Sequence, residues 1–295
     1  MNKLFIMIFC TAFIFSQNIF ADSKLTKVGY LSEIYADLKY KNSKSALRIW
    51  IEDITKDAGI NVQLITYESY DKLVSDYVNG KLQILAVNPY HYLEKEKKIN
   101  NQTNIIWDLQ RSKDEKFQKL YVVVNKNSKI EKISDLKNKK IIIKKNNYMA
   151  RVFLETLYFK SEKNSSKAFM SKIDTLEKGT VLLKTFFGKH DACIVDSYEY
   201  EVMLELNPAL SQKLKILKSS ENMLNNHMIL FSKNNNEETM EIYRKTLDKF
   251  LTDVRKNDLF DLIKTNKISL LKVDELEKLR NLYLLNKKLK KKYNK

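Results

Sequence analysis

Apolar positions between residues 24 and 88 follow two different periods along the chain. In Ser43–Asp57 and Tyr70–Val78 they recur three and four positions apart, which is the spacing of one helix face. A glycine lies two residues beyond the end of each of these predicted helices, as a helix stop. The segments around them are short and alternating or rich in β-branched residues, which predicts strands at Lys24–Leu31, Ile60–Thr66 and Gln83–Asn88. Strands that alternate with helices indicate a βαβ sheet with helices on both faces.

The same alternation continues in the second half of the chain. It predicts strands at Leu120–Val124, Ile141–Ile143, Ala192–Val195, Leu214–Leu217 and Met228–Phe231. Helices are predicted at Met149–Phe159 and Gly179–Phe187, followed by an entirely helical end at Glu238–Val254, Leu259–Thr265 and Val273–Leu289. No Pro-, Gly- or Ser-rich linker separates the halves, so we expect two α/β lobes joined by short crossing segments. Such lobes close around a small molecule by a hinge motion.

Residues 1–21 have the pattern of a secretory signal peptide. Lys3 provides the positive start, Leu4–Phe15 is almost wholly apolar, and Ala21 is a small residue before the expected cleavage point. A lipoprotein signal at Cys10 is the alternative, but this cysteine follows a phenylalanine and lies too early in the chain. No other segment approaches the roughly 20 apolar residues of a transmembrane helix. We therefore expect a protein that is exported to the periplasm.

The chain is strongly basic. It has 53 Lys and Arg against 36 Asp and Glu, a net charge of +17, or +16 without Lys3 of the signal peptide. Such an excess can indicate a nucleic acid or an acidic membrane as partner. Most lysines alternate with acidic residues along predicted helices, as at Leu93–Ile99 and Val273–Arg280, which is typical of solvated helix faces. Only Lys287–Lys295 is a true basic run. Because exported proteins rarely meet nucleic acid, we predict no nucleic-acid partner.

Residue types that enzymes and metal sites require are scarce. Cys193 is the only cysteine after residue 21 and lies in an apolar predicted strand, so we expect a buried thiol without a disulfide. His190 is three positions away, which places the two side chains on opposite faces of a strand. The three histidines are scattered, and no nucleophile-elbow, zinc-protease or phosphate-loop motif occurs. We predict no metal, no cofactor and no enzymatic activity.

A strand, a short loop and a helix form a candidate anion site. The loop Lys144–Asn147 separates the apolar run Ile141–Ile143 from an amphipathic helix that begins near Tyr148. Free backbone N–H groups and the positive end of the helix favour an anion at such a junction. Asn146 and Asn147 either cap the helix or contact the ligand, and the hydroxyl of Tyr148 can reach the same place.

Further residues are candidate ligand contacts. Tyr92 follows a predicted strand at the edge where open α/β sheets bind ligands, and Tyr90 and His91 compete with it because the register can shift by one or two residues. Asp196 follows another predicted strand and either faces the cleft or caps the next helix. Lys178 can supply a positive charge or lie on the surface. Tyr30 lies in the loop after the first strand.

Several short motifs occur in order between residues 27 and 256. The first is a helix with its glycine at Leu73–Gly80, and the second is a strand with a Pro-x-x-Tyr turn at Leu82–Tyr92. A strand that contains a tyrosine follows at Lys119–Val124, and an Asp-Leu-Lys turn follows at Asp135–Lys139. The last is a Gly-x-x-Asp-Ala strand followed by Asp-Ser, at Gly188–Ser197. Together they resemble the phosphate-, phosphite- and phosphonate-type solute-binding proteins of ABC transporters. The resemblance implies an α/β, type II-like bilobed periplasmic-binding-protein fold with a hinge and a helical C-terminal segment. Lobe 1 is then residues 22–117 and 221–295, and lobe 2 is residues 118–220.

The chain departs from the family pattern at positions that bear on the ligand. The loop Lys144–Tyr148 has no Ser, Thr or Gly, where the family shows hydroxyls and N–H groups that hold phosphate oxygens. Lys178 stands where the family often has a ligand-contacting histidine, and Gln83 replaces an aspartate. The resemblance thus implies a ligand between the lobes and leaves open whether it is phosphate.

The resemblance implies a monomeric periplasmic receptor that captures a small, anionic ligand and delivers it to the membrane permease of an ABC transporter. A sensory protein is the alternative, since the same closure can signal to a membrane histidine kinase or chemoreceptor. An exported enzyme is the third and least supported interpretation.

Overall fold

The computed structural model describes residues 25–35, 43–57, 59–111, 115–177, 179–224, 226–252 and 265–294. The expected signal peptide, Lys178 and all but the last residue of the predicted helix Leu259–Thr265 lie outside these ranges. Within them, no helix has both the length and the apolar character needed to cross a membrane. The strands of these segments form two separate sheets, which confirms the predicted α/β class.

The first sheet consists of β1 Thr26–Leu31, β2 Val62–Tyr67, β3 Ile84–Val87, β4 Thr103–Gln110, β10 His227–Ser232 and β11 Lys267–Leu270. Their order is β2-β1-β3-β10-β4-β11, with β1 parallel to β2 and β3 and with β10 antiparallel to its neighbours. The sequence does not predict β4, and its prediction of an entirely helical end is wrong at β11. The buried Asp108 interrupts the apolar run of β4, and β11 is a short edge strand with an exposed Leu270.

The second sheet consists of β5 Leu120–Asn125, β6 Ile141–Lys144, β7 Asp174–Leu176, β8 Ala192–Asp196 and β9 Leu214–Ser219. Their order is β7-β6-β8-β5-β9, and β6 is parallel to both of its neighbours. The strands β7, β6 and β8 on one side of this sheet have the predicted parallel arrangement, and β5 pairs antiparallel with β8 and β9. Cys193 is completely buried in β8, as predicted, and burial raises the pKa of its thiol to about 12.

Helices connect these strands and cover the sheets. They are α1 Ser43–Asp57, α2 Tyr70–Val78, α3 Pro89–Glu94, α4 Glu96–Gln102, α5 Tyr148–Glu162, α6 Lys167–Met170, α7 Val181–Phe186, α8 Ser197–Leu206, α9 Ala209–Lys213, α10 Glu237–Thr252 and α11 Glu277–Tyr293. The predicted bounds of α1 and α2 are confirmed to the residue. The helix predicted from Gly179 begins at Val181, because the hydroxyl of Thr180 caps it by accepting from the backbone of Leu182.

The chain passes between the two sheets twice, in segments that pair with each other. Residues 111–119 lead from β4 to β5, and residues 220–226 lead from β9 to β10. Gln118 and Met223 form an antiparallel bridge between the two segments, with both backbone hydrogen bonds at 2.9 Å. The strands of the first sheet all fall within residues 22–117 and 221–295, and those of the second within residues 118–220.

The last helix, α11, packs along α5. The side-chain nitrogen of Asn286 donates to the backbone oxygen of Val152 at 3.4 Å and to the carboxylate of Glu155 at 3.2 Å. Near the ends of the two helices, the ring of Tyr293 stacks on that of Phe159. The C-terminal helix therefore contacts a helix that follows a strand of the second sheet, although the sequence assigns its residues to lobe 1.

Candidate functional site

Segments that follow three central strands meet between the two sheets. β1 leads into a 3-10 turn, Ser32–Tyr35, β3 leads into α3, and β6 leads into α5. Asn88 and Asn147 are the N-caps of α3 and α5, and their side-chain oxygens accept from backbone N–H groups in the first turn. The carboxyl ends of parallel strands are the edge at which open α/β sheets bind ligands.

Glu33 lies at the centre of this meeting point and joins the two sheets. The hydroxyl of Tyr148 donates to its carboxylate at 2.5 Å, and the side-chain nitrogen of Asn88 donates to the other carboxylate oxygen at 3.2 Å. The side-chain nitrogen of Asn146 donates to the backbone oxygen of Glu33, also at 3.2 Å. Donors from both sides of the cleft thus converge on one negatively charged residue.

His91 lies beside the same carboxylate but does not neutralise it. Its Nδ1 is 3.2 Å from Oε1 of Glu33, yet it makes no hydrogen bond there. Burial lowers the pKa of His91 to about 4, and the nearby His227 acts in the same direction. Burial also raises the pKa of Glu33, against the smaller effect of the Tyr148 hydroxyl. At neutral pH His91 is therefore uncharged.

Aromatic rings pack around Tyr148 and His91, the two aromatic neighbours of Glu33. Tyr90 stacks on Tyr148 with ring centroids 5.1 Å apart, and His91 lies 4.9 Å from Tyr148. Tyr70 stacks on His91 at 4.6 Å, and its hydroxyl donates to the backbone oxygen of that residue. Tyr283 of α11 closes the group at 5.7 Å from Tyr90. Burial raises the pKa values of these tyrosines, so their hydroxyls stay protonated and act as donors, that of Tyr90 to the carboxylate of Glu94 at 3.0 Å.

A second contact joins the sheets through an ion pair. Arg111, which follows β4, donates to the carboxylate of Asp196 at 2.7 Å. Asp196 is buried, and its other oxygen caps α8 by accepting from the backbone of Glu199 at 2.8 Å. Lys144 at the end of β6 lies 3.5 Å from the carboxylate of Glu199. The charges on this side of the cleft are therefore arranged as pairs.

Three of the predicted ligand residues are brought together around Glu33. They are Tyr90, Asn146 and Tyr148. Asn147 and Asp196 both take the capping role that the sequence left open. Lys178 lies outside the described residues.

Tyr92 and Tyr30 are placed elsewhere. Tyr92 is completely buried, and its hydroxyl donates to Asn100 at 2.6 Å within the same part of the chain. Tyr90 and Tyr92 are about 200° apart around α3, so only one of them can face the cleft. Tyr30 is buried, and its hydroxyl accepts from Thr66 of the neighbouring strand β2 at 2.8 Å. Our proposal for the site therefore leaves both residues out.

Sequence reasoning missed Glu33, Asn88 and Arg111. Glu33 lies two residues after the end of β1, and Asn88 directly follows β3. The rule that open α/β sheets bind ligands at the carboxyl ends of their strands, which located Tyr90, also applies to them. Arg111 follows β4, which the sequence pattern did not reveal. Within the described parts of the chain, no group of three or more His, Cys, Asp or Glu side chains is arranged to hold a metal ion.

Comparison with known proteins identifies the family. Residues 35–269 match the periplasmic phosphonate substrate-binding proteins of ABC transporters. The chain belongs to this family. The resemblance seen in the sequence motifs is therefore confirmed. As a phosphonate-type substrate-binding protein, it belongs to a group that is exported to the periplasm, binds a small molecule and serves an ABC permease. The chain matches none of the curated protein sequences with which it was compared.

Solved structures show the same fold at low sequence identity. A binding-protein component of a phosphonate ABC transporter from Pseudomonas aeruginosa is 14% identical, with a TM-score of 0.60 over 91% of this chain and 88% of that one. A Prochlorococcus marinus protein in complex with methylphosphonate is 17% identical, with a TM-score of 0.60 over 91% of this chain and 99% of that one. A Xanthomonas citri protein bound to ATP is 12% identical, with a TM-score of 0.61 over 91% and 99%. These similarities confirm the predicted bilobed fold of this phosphonate-type binding protein.

We expect His91→Gln to flatten the dependence of stability on pH. The pKa of His91 is about 4 in the folded protein and about 6.5 in the unfolded chain, so the unfolded chain takes up the proton first as the pH falls. Between these two values the wild type should lose up to about 3 kcal/mol that the variant keeps. Urea unfolding at several pH values measures this difference.

Comparing the wild type with His91→Gln separates the effect of His91 on the pH dependence of stability from that of Glu33. Glu33 has a raised pKa and acts in the opposite direction, since its contribution favours the folded state at low pH. Glu33 is present in both proteins, so its own contribution is largely common to both, and any coupling between the two side chains at 3.2 Å is part of the measured difference. If the free energy of unfolding changes with pH equally in the wild type and the variant, the burial of a neutral His91 is contradicted.

Proposed function

We propose that this protein captures a small ligand with an oxyanion group between its two lobes and delivers it to an ABC permease. The observation that carries the proposal is the set of donors from both sheets, Tyr148 and Asn88, that converge on the carboxylate of Glu33. An oxyanion of a ligand has the same acceptor chemistry as that carboxylate. It would take these hydrogen bonds when it enters and Glu33 turns away.

We propose Tyr90, Asn146 and Tyr148 as ligand contacts, joined by Asn88 and His91. Asn147 and Asp196 hold the starts of α5 and α8, two helices of the second sheet whose positive ends favour an anion. Lys144 lies at the end of β6, and a ligand anion can compete with Glu199 for it. Lys178 keeps its proposed role as a second positive charge.

The lobes of this receptor are proposed to have the boundaries expected from the sequence. Lobe 1 is residues 22–117 and 221–295, lobe 2 is residues 118–220, and the hinge is the paired segment at Gln118 and Met223. A ligand held by donors from both sides stabilises the closed arrangement over the open one. The protein acts as a monomer after export and removal of residues 1–21. Family membership describes transport, so we do not propose the sensory role.

We expect Tyr148→Phe to weaken binding of methylphosphonate, the ligand named for the relative from Prochlorococcus marinus. The variant keeps the ring stack on Tyr90 and loses one donor to a charged acceptor, which costs roughly tenfold or more in affinity. Calorimetric titration of protein purified from the periplasm measures the change. Phosphate, a sulfonate and an amino acid serve as competing ligand classes.

A matched control lies on the same helix. Tyr158 of α5 stacks on Phe169, and its hydroxyl has no hydrogen-bond partner among the described residues, so Tyr158→Phe should leave the affinity unchanged. Binding of an amino acid but of no oxyanion would refute the proposed ligand class. Equal effects of the two substitutions would remove Tyr148 from the site.

A further inference from the structure

Eight lysines lie together where α5 and α11 end side by side. The backbone N–H of Ser166 donates to the side-chain oxygen of Asn294 at 2.8 Å, and the rings of Phe159 and Tyr293 stack, so the two helix ends are fixed against each other. We name this surface the lysine end and define it as Lys160, Lys163, Lys167, Lys287, Lys288, Lys290, Lys291 and Lys292. All eight are exposed.

Most of this charge has no counter-charge within the described residues. Lys290 alone forms an ion pair, with Glu155 at 3.5 Å. Lys287 and Lys292 lie over the rings of Tyr283 and Tyr293. The other five lysines make no ion pair with any described residue, namely Lys160, Lys163, Lys167, Lys288 and Lys291. Several lysines elsewhere on the surface form ion pairs, as at Asp76, Asp71, Glu131 and Glu177.

Helix dipoles explain only part of the cluster. A cation in the last turn of a helix is favoured by a few tenths of a kcal/mol, and this covers Lys160 and Lys290 to Lys292. Lys163 and Lys167 lie beyond the end of α5, and Lys288 lies before the last turn of α11. Helix dipoles therefore do not account for the concentration of charge from two segments more than 100 residues apart.

The composition of the lysine end fits a diffuse anionic surface. Its two rings, Tyr283 and Tyr293, are buried and half-buried, and it contains no arginine, so it lacks the exposed anchors typical of protein interfaces. Lysine is a hydrated point charge that needs no fixed orientation of its partner. Clusters of four to eight basic residues are the size that binds anionic phospholipid.

We propose that the lysine end binds the anionic phospholipid surface of a membrane. Helix α5 is about 22 Å long, so its start at Tyr148, in the proposed ligand site, is far from the lysine end. A receptor attached in this way keeps its cleft accessible and diffuses along the membrane that holds its permease. The proposal rests on export to the periplasm and does not depend on which ligand is bound.

Vesicle binding tests the proposal with two triple variants of equal charge change. Protein purified from the periplasm is sedimented with phosphatidylcholine vesicles that contain or lack phosphatidylglycerol. Lys163→Gln, Lys288→Gln and Lys291→Gln are combined in one variant. The control combines Lys97→Gln, Lys98→Gln and Lys218→Gln, which are exposed lysines on other elements.

We expect binding only to vesicles with phosphatidylglycerol, and loss of binding at about 1 M salt, where the Debye length is about 3 Å. Each lysine near an anionic surface contributes about fivefold, so the lysine-end variant should bind about 100-fold more weakly. The vesicle affinity of the control variant should change by less than about threefold, because its lysines lie away from the proposed membrane contact. Methylphosphonate affinity and melting temperature should be the same in all three proteins.

Equal weakening of the two triple variants would overturn the proposal, since net charge alone would then explain binding. Equal binding to neutral vesicles, or binding that persists at high salt, would also overturn it. If the triple variant melts early, Lys288→Gln alone should still weaken binding about fivefold.

Discussion

Arg111→Met should lower the free energy of unfolding by about 3 kcal/mol, the largest effect on stability that we expect in this protein. The substitution removes the partner of Asp196, whose side chain is only 4% exposed, and leaves a buried carboxylate without its counter-charge. Removing one partner of a fully buried pair costs about 3–5 kcal/mol, and the 23% exposure of Arg111 places this pair at the lower end. Urea unfolding near neutral pH measures the loss.

A double-mutant cycle with Asp196→Asn separates the ion pair from the helix cap. Asparagine still caps a helix, so Asp196→Asn removes the charge and keeps the bond to the backbone of Glu199. The coupling energy between the two sites should exceed about 1 kcal/mol. Arg244→Met is the matched control, because the pair of Arg244 and Glu241 is half exposed on α10 and should contribute well under 1 kcal/mol. Similar losses in both arginine variants would contradict our account.

Glu33→Gln should bind methylphosphonate at least tenfold more tightly than the wild type near neutral pH. The carboxylate of Glu33 holds the donors that a ligand oxyanion needs, and it repels that anion across a partly desolvated cleft. Glutamine removes the charge and keeps a similar shape. Two unit charges about 4 Å apart interact with about 4 kcal/mol near a protein surface, so a tenfold gain is a conservative expectation.

The pH dependence of ligand affinity is a second test of the role of Glu33. Burial raises the pKa of Glu33, so the wild type should gain affinity for the anion as the pH falls through that value, while Glu33→Gln should not. Ionisation of the ligand is common to both proteins and cancels in the ratio of their affinities. Glu131→Gln, an exposed residue paired with Lys215, makes the same charge change away from the cleft. Weaker binding by Glu33→Gln would show that the ligand brings its own donor or positive charge to Glu33.

Local periodicity was sufficient for most of the fold. The two helices α1 and α2 match their predicted bounds because each has an unbroken apolar stripe and a glycine after its end. β4 was missed because Asp108 and Gln110 are buried polar residues inside it, stabilised by tertiary contacts that a local pattern does not contain. β11 was missed because a four-residue edge strand has too few positions to show a period.

By itself, the sequence determined the alternation of strands and helices, and with it the edge where strands end. That edge was enough to place Tyr90, Asn146 and Tyr148 among the candidates. Only the tertiary structure decided that these residues surround Glu33 and that Arg111 neutralises Asp196. Glu33 and Tyr148 are 115 positions apart, and Arg111 and Asp196 are 85 apart. Contacts over such separations depend on how two sheets dock, and local patterns of hydrophobic and polar residues specify each sheet without specifying which side chains meet between them.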